Sequence, residues 1–516
     1  MKNLSFHRMI LILGLLLISC INLYAYDAER FEEGPYEYEE FGENSVMLVS
    51  CKSPSEINTG DVCYIPTHVT HEGHEYIVES IGISAFANIN EIRKVVVGEG
   101  VEIINNNAFY NCVNLDSIYI PSTVIIFDKK VFGRCRNLRR IVVDAENECF
   151  DSRDNCNAVI DTHTNKLLAA CPNTKIPPSV KTIGNSSFYN CIGLEELDIP
   201  EGVELIESFA FEGCCDLKRI SLPQSLVTIA YSVFENCTSL KSLYFPKNVT
   251  NLSTCSVWGC VNLTNIIVDK DNPEYDSRYN CNGVVRKSDT TLIVACPNTK
   301  FVDGIKRIES DCFSSLNLHY VHIPASVVDI SENPFVFCSE IDSITVDEAN
   351  PVYKSPKGSN AILSKDGKKL LVGCRTTIIP DGVEEIGKNA FSKRSPYVYS
   401  LHLPEGIKKI GECAFSHNYS FDEVVLPRSV EEIGPDAFRN CYNLKVVDIQ
   451  SQITTIHSRT FSDCPNLSYV NLPEGLESIN HWAFENCKSL KSLKMPSTIK
   501  KVDPEAFKGC PLIDIK

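Results

Sequence analysis

The sequence predicts a parallel repeat solenoid, mainly β, with short turns or 3-10 segments between strands. Two observations predict it. The frame I-G-x-x-A-F-x-x-C-x-x-L-x-x-I-x-I-P recurs along the chain, and residues 433–456 carry a good copy. Its phenylalanine position falls at Phe86, Phe109, Phe132, Phe188, Phe211, Phe234, Val257, Phe313, Phe335, Phe391, Phe415, Phe438, Phe461, Phe484 and Phe507. These anchors step by 22 to 24 residues, apart from three steps of 56. A fixed period in the twenties means one supersecondary unit per repeat, whose apolar face only its neighbours can cover.

The second observation is the pattern inside each copy. Residues 444–449, L-K-V-V-D-I, place apolar side chains mostly at alternate positions, which suits a short strand with one buried face. Proline then ends the strand, as at Pro427, Pro473 and Pro496, because it has no N–H to donate. The following x-x-V/I/L-x-x-I supplies a second short apolar element, and I-G-x-x-A-F-x-x-C turns the chain back. Stacked in register, such coils enclose a continuous core of Ile, Leu, Val and Phe.

This frame resembles the leucine-rich repeats of the BspA-like bacterial surface proteins over roughly residues 60–516. The resemblance implies a curved, right-handed solenoid of about 15 coils on the outside of a bacterium. It also implies binding roles, such as adhesion to host matrix proteins or cells.

Whole-chain properties narrow the function. At 516 residues the length alone would suggest several domains, but a solenoid grows linearly and needs no separate cores. The hydrophobic fraction of 43% and charged fraction of 22% are those of an ordinary soluble protein. A net charge of −17 argues against nucleic acid and against docking on anionic lipid.

Taken from the start, residues 1–25 read as an export signal. Lys2, His7 and Arg8 precede an apolar run over 9–18 that is too short to span a bilayer. Two processing sites compete. Leu17-Ile18-Ser19-Cys20 resembles a lipoprotein box, which would put lipid on Cys20 and make a lipid anchor the sole membrane attachment; Ala25 would instead precede an ordinary cleavage.

Residues 26–80 form an acidic lead followed by a β-rich cap. The Glu- and Tyr-rich stretch 29–43 shows little periodicity and is expected to be exposed or poorly ordered. From Val46 onward, apolar runs bounded by Gly60-Asp61 and Glu72-Gly73 read as strands that cover the first open face of the solenoid. Residues 81–516 are the solenoid itself.

Each 56-residue step is a coil with an insertion, near 144–176, 269–301 and 347–379. In each, Asp144, Asp269 or Asp347 stands where proline is usual. Two strand-like pieces follow, joined in the third around Asp366-Gly367, a hairpin signal. The hairpins are expected as bumps on the solenoid.

Cysteine is the first residue type to weigh for chemistry, with 24 in the chain. Eleven follow an anchor by three residues: Cys112, Cys135, Cys191, Cys214, Cys237, Cys260, Cys338, Cys441, Cys464, Cys487 and Cys510. Stacking spaces them about 4.8 Å apart, within reach of a disulfide, but with parallel Cβ vectors. A ladder of buried thiols is the preferred reading, with vertical disulfides the alternative that export would permit. Cys156 with Cys171, and Cys281 with Cys296, could form optional staples; the third insertion has Ser359 and Cys374 there.

His68, His71 and His74 near Cys63 are the one metal-like cluster, with His71 and His74 expected to face across a hairpin. A solvated turn explains them as well, and no metal or other cofactor is assigned. The Asp/Asn-rich segment 269–272 could hold calcium weakly or simply form a turn. No nucleophile elbow, paired carboxylates or phosphate loop stands out, and the features repeat evenly, which argues against an enzyme.

The outward strand positions vary freely and align into one broad face. Tyr119, Tyr244 and Tyr469 are expected at one shared outward position, and tyrosine favours recognition surfaces. Lys218, Arg219, Lys241, Lys491 and Lys494 are expected to give part of this face a basic cast. These eight residues are the candidate binding set for an extracellular protein or glycan. The alternative is a structural envelope or spacer protein whose outward polar residues only confer solubility.

Overall fold

The computed structural model describes residues 28–59, 62–330, 332–392, 401–511 and 514–515. Segment 1–25, expected to be an export signal, lies outside them with Cys20. Among the described residues there is no α-helix. Three 3-10 turns, Pro54–Glu56, Arg153–Asn155 and Arg278–Asn280, interrupt a chain built from short strands. The chain divides into two units, residues 1–175 and 176–516, each a β-solenoid. Together they hold about 18 turns, more than the fifteen anchors mark, because the long steps contain turns of their own.

Two ladders run through each unit. In the first, Lys94–Val96, Ser117–Ile120 and Arg140–Val143 pair in parallel, with Ile118 opposite both Val95 and Ile141. Each coil therefore advances the register by 23 residues. The second ladder is shorter, with His74–Ile81 beside Ile103–Ile104 and that beside Ile126–Phe127. In the second unit Glu423–Leu426, Val446–Ile449 and Tyr469–Asn471 continue the long-strand pattern.

The anchor phenylalanines fill the space between the ladders and the turns. Phe415, Phe438, Phe461, Phe484 and Phe507 stack with centroids 5.2, 5.5, 5.4 and 5.3 Å apart and planes within 16° of parallel. Most of the turns that carry an anchor use left-handed backbone both two residues before and two after it. Around Phe438 these are Asp436 (φ 54°) and Asn440 (φ 56°). Asparagine recurs at the later place, at Asn88, Asn111, Asn190, Asn236 and Asn486, because its short side chain tolerates that conformation.

Proline-flanked corners tie neighbouring coils together. The backbone N–H of Gly202 donates to Ser225 Oγ (2.9 Å), and that hydroxyl donates to the Val203 carbonyl (2.8 Å). The same bridge joins Gly100 to Thr123, Gly406 to Ser429 and Gly475 to Thr498. A Glu-Gly corner is thus followed one coil later by a Ser or Thr corner.

The N-terminal cap corrects one expectation. The acidic lead is ordered: Arg30–Glu33, Tyr36–Gly42 and Ser45–Cys51 form an antiparallel meander, and the last strand pairs in parallel with His74–Ile81. Phe31, Tyr36 and Tyr38 are buried while the glutamates between them face outward, a period of two that acidity obscured. The Tyr36 ring meets Phe86 edge-on at 5.9 Å, extending the phenylalanine stack into the cap.

The insertions also differ from expectation. Phe150–Asp151, Ala158–Asp161 and Lys166–Ala170 form a three-stranded antiparallel meander, repeated at Tyr275–Asp276, Gly283–Arg286 and Thr291–Ala295 and again at Tyr353–Lys354, Ala361–Ser364 and Lys369–Gly373. They are not bumps. Thr291–Ala295 pairs in parallel with the next short strand, Arg307–Ile308, and all five of its residues are buried. Apolar residues on both faces of a strand place it in the core.

Candidate binding face

The outward side of the long-strand ladder can be described as columns of residues 23 apart, and each candidate residue falls in one of them. Tyr119 and Tyr244 share the third strand position, beside Val142 and Ile267 respectively. Tyr469 does not share it. It pairs with Val446 at the first position, while the third position of its strand is Asn471, opposite Asp448. The expected single column of tyrosines is therefore two columns, because Tyr469 follows the leucine of L-x-x-V and the other two follow the later apolar residue.

The first two tyrosines are engaged internally. The Tyr119 hydroxyl donates to Asp144, and the Tyr244 hydroxyl donates to Asp269 Oδ2 at 2.5 Å. Those aspartates are the ones that replace proline where the first two insertions begin. The hydrogen bond to Asp144 pushes the Tyr119 phenol up to about 12, and the bond to Asp269 raises Tyr244 likewise.

Part of the basic cast is also cancelled. Lys218 Nζ lies 2.7 Å from Glu195, and Arg219 bridges Glu196 (2.9 Å) and Asp198 (2.7 Å) on the neighbouring strand. Hydrogen bonds from Arg219 and Ser221 hold the Asp198 carboxyl below its usual range. Cross-strand pairs of this kind satisfy one another and leave little net field.

Four candidates stay uncommitted. Lys241, Lys491 and Lys494 are exposed, and among the described residues no carboxylate lies within ion-pair distance of them. Tyr469 is 56% exposed. Tyr469 and Lys494 line a shallow depression with Asn471, Glu474, Ser492 and Met495. Asn471 donates to Asp448 Oδ1 at 2.7 Å, which fixes its amide beside the cation. Asn471, an outward strand position by its sequence, was not in the candidate set, and neither were Glu474 and Met495, although 471 and 494 are one 23-residue period apart.

The other weighed clusters resolve into structural roles. Among the described residues the cysteines are thiols, not disulfides, and nearly all of the ladder set are buried. Cys112, Cys214, Cys441 and Cys464 each donate to the carbonyl of the anchor phenylalanine 26 residues earlier, at 3.0 to 3.3 Å. The insertion thiols point to separate carbonyls, Cys156 to Ala158 and Cys171 to Asn157. His71 does lie opposite His74, but its ring stacks on Phe31 at 4.0 Å. Asn272 is buried and uses its whole amide, donating to Pro246 and Val249 carbonyls and accepting from the N–H groups of Glu274 and Tyr275. Turn formation accounts for that segment.

Residues 63–166, 168–282, 294–355 and 384–514 match the family model described as BspA type leucine rich repeat region, in six copies. Among solved structures, a leucine rich cell surface protein from Faecalibacterium prausnitzii is 21% identical, over 96% of each chain, with a TM-score of 0.36. A leucine-rich repeat protein from Bacteroides ovatus is 22% identical, covering 95% of this chain and all of its own, with a TM-score of 0.32. The pneumococcal vaccine antigen PcpA is 17% identical over 94% of this chain and 80% of its own, with a TM-score of 0.26. No curated protein matches the chain at a significant level.

Proposed function

The chain belongs to the BspA-type leucine-rich repeat family, and from that premise we propose an exported, non-enzymatic cell-surface protein that binds a protein or glycan through its long-strand face. The export-signal pattern in residues 1–25 supports delivery across a membrane, and Cys20 is the residue a lipid would take. Metabolic labelling with a fatty-acid probe should mark the parent and not Cys20→Ala; equal labelling, or none, would leave the cleaved, unanchored form.

One observation carries the binding reading. Tyr469, Lys491 and Lys494 are exposed and unspent, whereas Lys218 and Arg219 are neutralised by carboxylates one coil away. An exposed aromatic beside free cations offers area and charge to a partner at little entropic cost. The test is binding of residues 26–516 to immobilised matrix proteins and glycans. Tyr469→Ser with Lys494→Glu should weaken any captured ligand by about 1–2 kcal/mol per engaged residue. Unchanged binding would reject this part of the face.

The spacer reading draws on the opposite observation. Where Tyr119, Lys218, Arg219 and Tyr244 stand, the outward side chains bind one another. Failure of every immobilised ligand to bind would favour it.

A further inference from the structure

A second depression lies where the second insertion meets the outward face of Asn265–Val268. It is lined by Asn265, Ile267, Asp269, Asp276, Arg278 and Asn280 among others, with a volume of about 470 Å³. That falls within the roughly 300–1,000 Å³ of small-ligand sites. We propose that it is a subsite for a neutral pyranose oligosaccharide. The proposal rests on the strand-face reading above and narrows its ligand class.

Three of the four charged groups lining it are already occupied, and the fourth, Lys270, is exposed. Arg278 grips Asp276 with both arms, at 2.9 and 3.0 Å. Asp269 accepts the Tyr244 hydroxyl at 2.5 Å and the Asp271 N–H at 2.9 Å. Apart from Lys270, what remains open is uncharged. The side-chain amides of Asn265 and Asn280 have no hydrogen-bond partner among the described residues, and each offers donors and an acceptor. Beside them Ile267 is 44% exposed, and its cross-strand neighbour Tyr244 is 42% exposed. A pyranose ring has this same division, an apolar face ringed by hydroxyls that both donate and accept. Tyr279, between lining residues Arg278 and Asn280, is 78% exposed. It is also held in left-handed backbone (φ 52°), unusual for an aromatic residue.

The first insertion serves as an internal control. It keeps the holding parts: Arg153 Nε lies 2.8 and 2.9 Å from the two oxygens of Asp151, and Ser152 accepts the Val143 N–H as Ser277 accepts that of Val268. Asn280 keeps its counterpart as Asn155, but other open positions differ. Arg140, Val142 and Asp154 stand where the second insertion has Asn265, Ile267 and Tyr279, each 125 residues on. Asp154 also adopts left-handed backbone (φ 57°), so aspartate fits the place of Tyr279.

The experiment probes residues 26–516 with a printed array of neutral glucose-, galactose- and N-acetylhexosamine-terminated oligosaccharides and their sialylated counterparts. Asn265→Arg with Tyr279→Asp should lose about tenfold in affinity for the neutral probes, as expected when a lining residue and its exposed aromatic neighbour are replaced, with an unchanged melting temperature. Arg219→Ala, whose guanidinium is spent on Glu196 and Asp198, should retain that binding. Three results would overturn the subsite: unchanged binding by the Asn265/Tyr279 variant, capture of sialylated probes alone, or no neutral probe bound while a matrix protein still binds through Tyr469 and Lys494. The last would leave the strand-face reading standing.

Discussion

The thiol of Cys464 donates to the carbonyl oxygen of Phe438 across 3.2 Å, so the cysteine of one coil holds the turn of the coil before it. Cys487 does the same to Phe461 at 3.2 Å. At the equivalent place Asn418 reaches the Phe391 carbonyl at 3.5 Å, which shows what the slot selects. A small donor recurs there, although Ile89 and Leu316 fill the slot in two other coils. The residue need not be able to oxidise.

Cys464→Ala should therefore cost about 1–2 kcal/mol, from a small cavity and an unpaired buried carbonyl. Chemical denaturation followed by circular dichroism measures it. A loss as large as that of an anchor phenylalanine would point to a covalent role instead.

Thiol reactivity follows from burial. Burial pushes the Cys260 thiol up to about 12, so at neutral pH it is protonated as well as enclosed. Alkylation with a maleimide should be slow for the ladder cysteines in the native protein and complete in denaturant without reductant. Mass mapping that finds Cys214–Cys237 or Cys464–Cys487 bridges in most molecules would refute it.

Phe438 is fully buried between Phe415 and Phe461. Phe438→Ala should cost about 3–5 kcal/mol. Because each coil touches only its neighbours, the loosening should centre on the coils around 438 in the second unit. Hydrogen exchange that rises evenly throughout residues 28–175 as well would contradict this.

Tyr119 gives an alkaline prediction. Its folded value of about 12 lies above the ordinary 10, so the native state holds the phenolic proton more tightly than the unfolded chain. Its contribution is complete below pH 10 and is lost as pH rises through about 12. A tyrosinate absorbance titration should show one late-ionising phenol fewer in Tyr119→Phe. That variant should also lose less stability over this pH window than the parent.

Arg219 tests the division of the face. Arg219→Ala should leave ligand affinity unchanged, since its guanidinium is spent on Glu196 and Asp198. Surface plasmon resonance on any captured ligand measures this, and a tenfold loss would return Arg219 to the binding set.

The repeat frame made the coils, the buried cysteines and the hairpin of His71 and His74 readable before any coordinates. What escaped were partners set by three-dimensional register. Tyr119 and Asp144 are 25 residues apart, a spacing without meaning until the coil rise of 23 puts them side by side. Lys218 and Arg219 looked basic in isolation, yet glutamates one period earlier at 195 and 196 neutralise them. Tyr469 was misplaced because L-x-x-V offers two apolar reference points and the count began from the wrong one. In the cap, acidity masked the alternation of Tyr36 and Tyr38 with glutamate.

The hydroxyl bridges at the proline corners bear on how such an array can change in length. Gly475 gives its N–H to Thr498 of the following coil, and Gly202 gives its own to Ser225. Excising only the coil with the hydroxyl strands a partly enclosed amide; excising only the one with the glycine strands a hydroxyl. Coils of this protein are therefore not interchangeable beads. Their smallest heritable increment is the couplet, and duplications or losses that respect it keep every corner closed.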